Sequence, residues 1–191
     1  ELYLMLRAGL VLPVETFDEL LVAYRAAVEA DAGRTPMDQA RVMLVGSFCE
    51  QPPLGLIKTL ELAGCHVVWD DMTLGSRWIE TTVAETGDPL GALADAFLHH
   101  SVTTAARYQP DGKRGEKLVQ LTRRTRAEGV IFAAPSFCDP ALLDQPMLQV
   151  ALDGAAVPWT AFKYAENLGQ FQVIREQAGT FADSIKLWSE P

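Results

Sequence analysis

Val42-Met43-Leu44-Val45-Gly46-Ser47-Phe48-Cys49-Glu50 is a buried-strand run that breaks into a polar turn, with Pro52-Pro53 and an apolar helical pattern behind it. Val130-Ile131-Phe132-Ala133-Ala134-Pro135-Ser136-Phe137-Cys138-Asp139-Pro140 repeats the arrangement later in the chain. Short apolar runs bounded by turn signals and followed by helices fit strands buried on both faces, as in a parallel sheet. Working outward, strands are expected at 41–46, 66–69, 129–134 and 157–162. Helices are expected at 14–31, at 53–63, from Asp88-Pro89 onward and at 113–128, with a long terminal helix striped by Phe171, Ile174, Ala178, Phe181, Ile185 and Trp188. A strand–helix–strand unit needs a right-handed crossover and therefore a parallel pair. The expected fold is a three-layer α/β domain with a parallel sheet of about four strands in the order 2-1-3-4, flavodoxin-like or Rossmann-like. That order makes strands one and three neighbours. Cys49 and Cys138 would then share one rim, where such sheets bind ligands.

Three segments are less regular. Pro146 suits the first turn of a helix better than its interior. A short turn at 140–143 and a main helix from Asp144 to Leu152 are therefore expected. Trp78-Ile79 reads as a short helix within a mixed stretch, and 101–112 is polar and rich in turn residues. Ala32-Gly33-Arg34-Thr35-Pro36 separates the first helix from the α/β pattern. The domains are accordingly read as 1–36, a helical segment, and 37–191, the α/β domain. The chain opens on Glu1 with an apolar Leu2–Leu12 and no clear start. It is expected to be a piece of a longer polypeptide, with 1–36 a remnant of, or link to, a missing N-terminal domain.

The 191 residues suffice for one full core, and the 49% apolar and 21% charged fractions are ordinary for a globular protein. A net charge of −9 without a basic stripe argues against a nucleic-acid partner. No apolar stretch approaches the ~20 residues of a membrane span, and no signal peptide is visible. Three cysteines without framework spacing argue for a reducing compartment, so a cytoplasmic location is expected.

Lone cysteines are commonly small core residues, and Cys65, between Gly64 and an apolar strand, is read that way. Cys49 and Cys138 stand in polar turns, and two thiolates converging on one rim suggest an iron–sulfur or zinc site that needs at least one further ligand. Asp70 and Asp71 end a strand at the same rim and are candidates to bind a cation or position a substrate, although a cap or solvated turn is the commoner role. His99 and His100 end a helix, where a cation suits the dipole, and His66 reads as structural. Gly169-Gln170 offers backbone donors for an anion or a simple cap. No G-x-G-x-x-G follows a strand and no G-x-x-x-x-G-K-[ST] is present, so no nucleotide is expected to bind this chain.

Phe48-Cys49-Glu50-Gln51-Pro52-Pro53-Leu54, Glu61-Leu62-Ala63-Gly64, Asp70-Asp71, Gly129-Val130-Ile131, Phe137-Cys138-Asp139-Pro140, Asp144-Gln145-Pro146-Met147-Leu148 and Glu166-Asn167-Leu168-Gly169-Gln170-Phe171 together resemble the benzoyl-CoA reductase and 2-hydroxyacyl-CoA dehydratase family. The resemblance runs from about residue 40 to the C-terminus. The phrases around Phe137-Cys138-Asp139 and Gly169-Gln170-Phe171 are most similar to its ATP-dependent benzoyl-CoA reductase branch, C-type subunit. The resemblance implies two similar α/β domains per subunit and three cysteines holding a [4Fe–4S] cluster between them. Cys49 and Cys138 match two ligand positions, and Cys65 matches none. Ser47, Glu50, Ser136 and Asp139 would stand behind these ligands and tune the cluster. The third ligand falls outside this sequence, so the full-length protein is expected to carry the cluster and this chain alone to lack it.

The implied reaction is reduction of the aromatic ring of benzoyl-CoA with electrons from ferredoxin. The implied partners are other reductase subunits, including an ATP-hydrolysing pair, and a CoA-thioester substrate. No residue is assigned as catalytic. Two alternatives stay open: dehydration of a 2-hydroxyacyl-CoA through a related radical, and a non-catalytic α/β binding or assembly module.

Overall fold

The computed structural model describes residues 1–33, 37–46, 52–77, 81–102, 112–165 and 171–188. The chain divides into two compact units, Glu1–Asp38 and Gln39–Pro191.

The first unit carries α1 (Leu2–Ala8) and α2 (Val14–Ala30). Pro13 precedes α2, in keeping with the tolerance of proline at a helix start. The stripe of Phe17, Leu20, Leu21, Tyr24 and Val28 does form a helix, but none of its residues is buried. α1 lies in the segment whose beginning the sequence left undefined.

The second unit is built on β1 (Ala40–Val45), β2 (Cys65–Asp70), β3 (Gly129–Pro135) and β4 (Trp159–Tyr164), all parallel, in the order β2-β1-β3-β4. α3 (Leu54–Leu62) follows β1, and α4 (Pro89–His100) follows β2. α5 (Arg114–Thr125) precedes β3, α6 (Asp139–Gly154) follows it, and α7 (Phe171–Trp188) closes the chain. α3 and α7 pack together against one face of the sheet, and α5 and α6 pack together beside β3 on the other. The expected fold and strand order are those observed.

Side chains alternate across each strand, so both faces contribute a core. Met43, Val45, Val130 and Phe132 meet Leu118 of α5 and Leu148 and Leu152 of α6. The edge of the Phe132 ring closes on Trp159, with ring centroids 6.2 Å apart. On the opposite face α7 approaches β3 so closely that a Cβ on Gly129 would stand 2.7 Å from Ile185 and 2.8 Å from Phe181.

The boundaries differ from the sequence reading where local chemistry intervenes. β4 begins at Trp159, past Pro158, which has no N–H to give a ladder and instead accepts from Val130 through its carbonyl at 3.0 Å. α5 stops at Thr125 because Arg126 turns to a left-handed φ of 54°. The largest correction concerns α6. It is one continuous helix from Asp139 to Gly154, with Pro146 inside it, and not a turn at 140–143 followed by a separate helix. Ala141, Leu148 and Leu152 are its buried positions, spaced to share one face. Burial of that face offsets the one hydrogen bond the proline removes. Asp88 caps α4 as the sequence suggested, accepting from the amides of Leu90 at 3.3 Å and Gly91 at 3.0 Å. The Trp78-Ile79 helix and most of the 101–112 segment lie outside the described residues.

Candidate functional site

β1 and β3 lie side by side, with Val45 opposite Phe132. The backbone leaves both strands at the same edge, through Gly46 after β1 and Ser136 after β3. Cys49, Ser47 and Glu50 lie outside the described residues, as do Gly169 and Gln170. The site is therefore built from the β3 side.

The turn after β3 is held at three points. The amide of Ser136 donates to the carbonyl of Tyr164 on β4 at 2.7 Å, and the amide of Cys138 donates to the carbonyl of Pro135 at 3.1 Å. The carbonyl of Cys138 then accepts from Leu142, the first bond of α6, at 3.1 Å. Cys138 is the N-cap residue of α6 and only 4% exposed, packed with Ala134, Ala141 and the partly buried Leu142. Asp139 occupies the first turn of α6, exposed, where a carboxylate complements the helix dipole, so it is not the residue before the helix that a cap requires. Phe137, between Ser136 and Cys138, has a φ of 68° and a 96% exposed side chain.

Thiolate sulfur is a soft donor suited to iron–sulfur chemistry. Cys138 fits such a role: it sits on a fixed turn, shielded from water, at the positive end of a long helix, which favours an anionic group. Among the described residues, no three His, Cys, Asp or Glu side chains stand together in a way that could hold a metal ion.

Cys65 lies at the opposite edge. It opens β2 opposite Ala40, is fully buried, and its thiol donates to the carbonyl of Ala178 on α7 at 3.8 Å. Burial pushes this thiol up to about 11, so it stays neutral and unreactive. Two outcomes are expected. A thiol-specific reagent at mildly alkaline pH should label Cys65 only after unfolding, and Cys65→Ser should cost about 1–3 kcal/mol if its hydroxyl finds no partner. Because the folded thiol holds its proton more tightly than the unfolded one, this stability is full below the ordinary thiol range. It is lost as pH rises toward about 11, which a denaturation series in alkali would read.

The acidic pair at the end of β2 builds structure. Asp71 is 4% exposed, and both of its carboxylate oxygens accept from the amide of Gly46, at 3.1 and 3.2 Å, which ties the end of β1 to the end of β2. Asp70 accepts from the amides of Met72 at 2.9 Å and Ser76 at 3.4 Å, capping the following turn. A solvated turn therefore describes neither residue well. Arg77 braces the same corner through the carbonyl of Asp71 at 2.8 Å. His99 and His100 sit in the last turn of α4, exposed and 3.8 and 4.0 Å from Asp95, and His66 is exposed on β2.

Sequence reasoning missed an ion pair on the α5–α6 face. Arg114 and Asp144 join these helices through a short contact, with side chains only 13% and 11% exposed. Burial raises the Asp144 carboxyl, and the charge and hydrogen bond of Arg114 oppose that rise. No periodicity announces such a pair, because both residues look like ordinary surface positions. Arg114 also lines a cavity of about 40 Å3, with Val45, Asp71, Lys117 and Leu148 among its walls. Its size suits a few water molecules and no cofactor.

The family described as 2-hydroxyglutaryl-CoA dehydratase, D-component, matches residues 1–185, so the likeness reaches further toward the N-terminus than the motifs that start near residue 40. The chain is 54% identical, over 99% of its length, to the C-type subunit of benzoyl-CoA reductase from Thauera aromatica, covering 49% of that protein. It is 27% identical to the (R)-phenyllactyl-CoA dehydratase beta subunit of Clostridium sporogenes, over 78% of this chain and 39% of the relative. It is also 27% identical to the beta subunit of (R)-2-hydroxyglutaryl-CoA dehydratase of Acidaminococcus fermentans, over 96% of this chain and 46% of the relative. The chain thus spans at most about half the length of these curated relatives. Among the described residues, no helix is long and apolar enough to cross a membrane.

Proposed function

Because the chain belongs to the 2-hydroxyglutaryl-CoA dehydratase D-component family, we propose that it forms part of a benzoyl-CoA reductase subunit, acting in ATP-dependent reductive dearomatisation of a CoA-thioester. The observation that carries this reading is the 54% identity over nearly the whole chain to a benzoyl-CoA reductase subunit, twice the identity to either dehydratase subunit. Dehydration of a 2-hydroxyacyl-CoA is the weaker reading for that reason, and a non-catalytic binding module has less support still.

In this reading Cys49 and Cys138 hold a [4Fe–4S] cluster at the edge shared by β1 and β3, with a third ligand from elsewhere in the complete subunit. When bound, the cluster supplies single electrons of low potential. The residues of this chain give it a rigid and dry seat. The Pro135–Cys138 turn fixes one ligand against β4 and α6, and Asp71 fixes the backbone at Gly46 just before the loop that bears the other. Ser47, Glu50, Ser136 and Asp139 tune the cluster from behind its ligands. Residues 1–36 serve as the link to another domain of the subunit, and 37–191 as the cluster-binding domain. The partners are other reductase subunits, an ATP-hydrolysing pair and ferredoxin, in the cytoplasm.

The test is turnover by the complete, partner-bound enzyme under anaerobic conditions, supplied with ATP and reduced ferredoxin. Reduction of the ring of benzoyl-CoA is expected. Dehydration of a 2-hydroxyacyl-CoA without ring reduction would transfer the assignment to the dehydratases. A second expectation concerns the 191-residue chain by itself: after anaerobic purification and reconstitution, iron and sulfide should stay well below one cluster per chain, since two thiolates fall short of the three or four protein ligands such a cluster takes, about four in the commonest case. Stoichiometric cluster in that chain would show the ligand set to be wrong.

A further inference from the structure

The backbone and the side chain make opposite demands at Phe137. The hydrogen bond from the Cys138 amide to the Pro135 carbonyl closes a four-residue turn, with Phe137 third in it at a φ of 68° and Ser136 outside the positive region. That is the type II pattern, whose third position favours glycine because a Cβ crowds the backbone there. Phenylalanine holds the position, and its ring is 96% exposed, so packing within the described residues does not repay the strain. Glycine would serve the turn better, and a residue retained against its backbone preference points to a contact beyond the fold. The turn also stands where it can meet a ligand. β1 and β3 are neighbours, and the helices that follow them, α3 and α6, depart to opposite faces of the sheet. In open parallel sheets, ligands bind in the crevice at this point.

We propose that Phe137 is a substrate-contacting residue whose ring forms an apolar wall against the acyl group of the CoA-thioester, favouring an aromatic acyl group through ring–ring contact. The inference rests on the thioester reading above and adds to it the residue that selects the acyl group.

The test is equilibrium binding of benzoyl-CoA, acetyl-CoA and free CoA to the complete enzyme without ATP or reductant, for the unsubstituted protein, Phe137→Gly and Phe137→Leu. Phe137→Gly is expected to keep or raise the thermal midpoint, since it relieves the turn, and to leave iron content unchanged. It should weaken benzoyl-CoA binding about tenfold while changing free CoA by less than about twofold, with Phe137→Leu between the two. Unchanged benzoyl-CoA affinity in Phe137→Gly would overturn the proposal. So would an equal loss for benzoyl-CoA and free CoA, or a fall in thermal midpoint with affinity retained, which would mark the ring as packing against another part of the protein. If the unsubstituted enzyme binds none of the three, the thioester reading fails and this inference fails with it. If it binds all three alike and Phe137→Gly does not disturb them, only this inference fails.

Discussion

Cys138→Ser in the complete, partner-bound enzyme is expected to abolish thioester reduction while leaving the fold intact, and Cys49→Ser is expected to do the same. The two halves of this result have separate physical causes. Serine is close to cysteine in size, and Cys138 sits among Ala134, Ala141 and Leu142 at the head of α6, where its backbone makes the structural bonds. Serine is also a good N-cap, so the helix start survives. The hydroxyl is a far poorer iron ligand than thiolate, so the chemistry does not survive. Thermal unfolding and turnover measured on the same preparation separate the effects. Full activity in Cys138→Ser would show that the cysteine is only a packing residue.

Arg114→Met is expected to lower stability by about 3–5 kcal/mol, the largest loss foreseen for a residue away from the cysteine edge. The reason is asymmetric. The Arg114–Asp144 pair is nearly buried, and truncating one partner leaves the other charge without compensation in a poorly solvated place. Replacing both, as Arg114→Met with Asp144→Leu, should recover much of the loss, since an apolar pair of similar volume removes the uncompensated charge. The single variant should also acquire a pH signature. Burial already raises the Asp144 carboxyl, and Arg114 is what holds it down. Without the arginine the folded carboxyl retains its proton more tightly than the unfolded one, so the penalty grows as pH rises through its folded value. The loss at about pH 7 should therefore exceed that at about pH 4, the ordinary carboxyl range. Denaturant unfolding of the second unit's transition at both pH values reads the difference. A loss near 1 kcal/mol at either pH, the scale of an exposed pair, would show the bridge to be solvated.

The sheet was legible because buried strands announce themselves as short apolar runs between turn residues, and because strand–helix alternation leaves few topologies. The N-terminus of α4 was legible for a local reason: Asp88 and Pro89 are cap and first-turn chemistry that acts within a few residues. α6 was misread because Pro146 is a local signal that a tertiary one overrides, namely the shared face of Ala141, Leu148 and Leu152. The role of Asp71 was half legible. Its position at a strand end was visible, but its carboxylate bonds to Gly46, on a different strand, and sequence distance conceals that. The strain at Phe137 had no sequence signal at all, since nothing but the backbone shows that the position favours glycine.

The central claim is that the turns after β1 and β3 each give one thiolate to the same cluster. Its most direct test is the iron and acid-labile sulfide content of the complete enzyme, with the electron paramagnetic resonance of its reduced form, for Cys49→Ser, Cys138→Ser and Cys65→Ser side by side. Cys49→Ser and Cys138→Ser should each lose one cluster's worth, about four irons per subunit, together with the same resonance. Cys65→Ser, changed at the far edge of the sheet, should keep both. Full iron and an unaltered signal in either Cys49→Ser or Cys138→Ser, or loss of the cluster in a stably folded Cys65→Ser, would contradict the account.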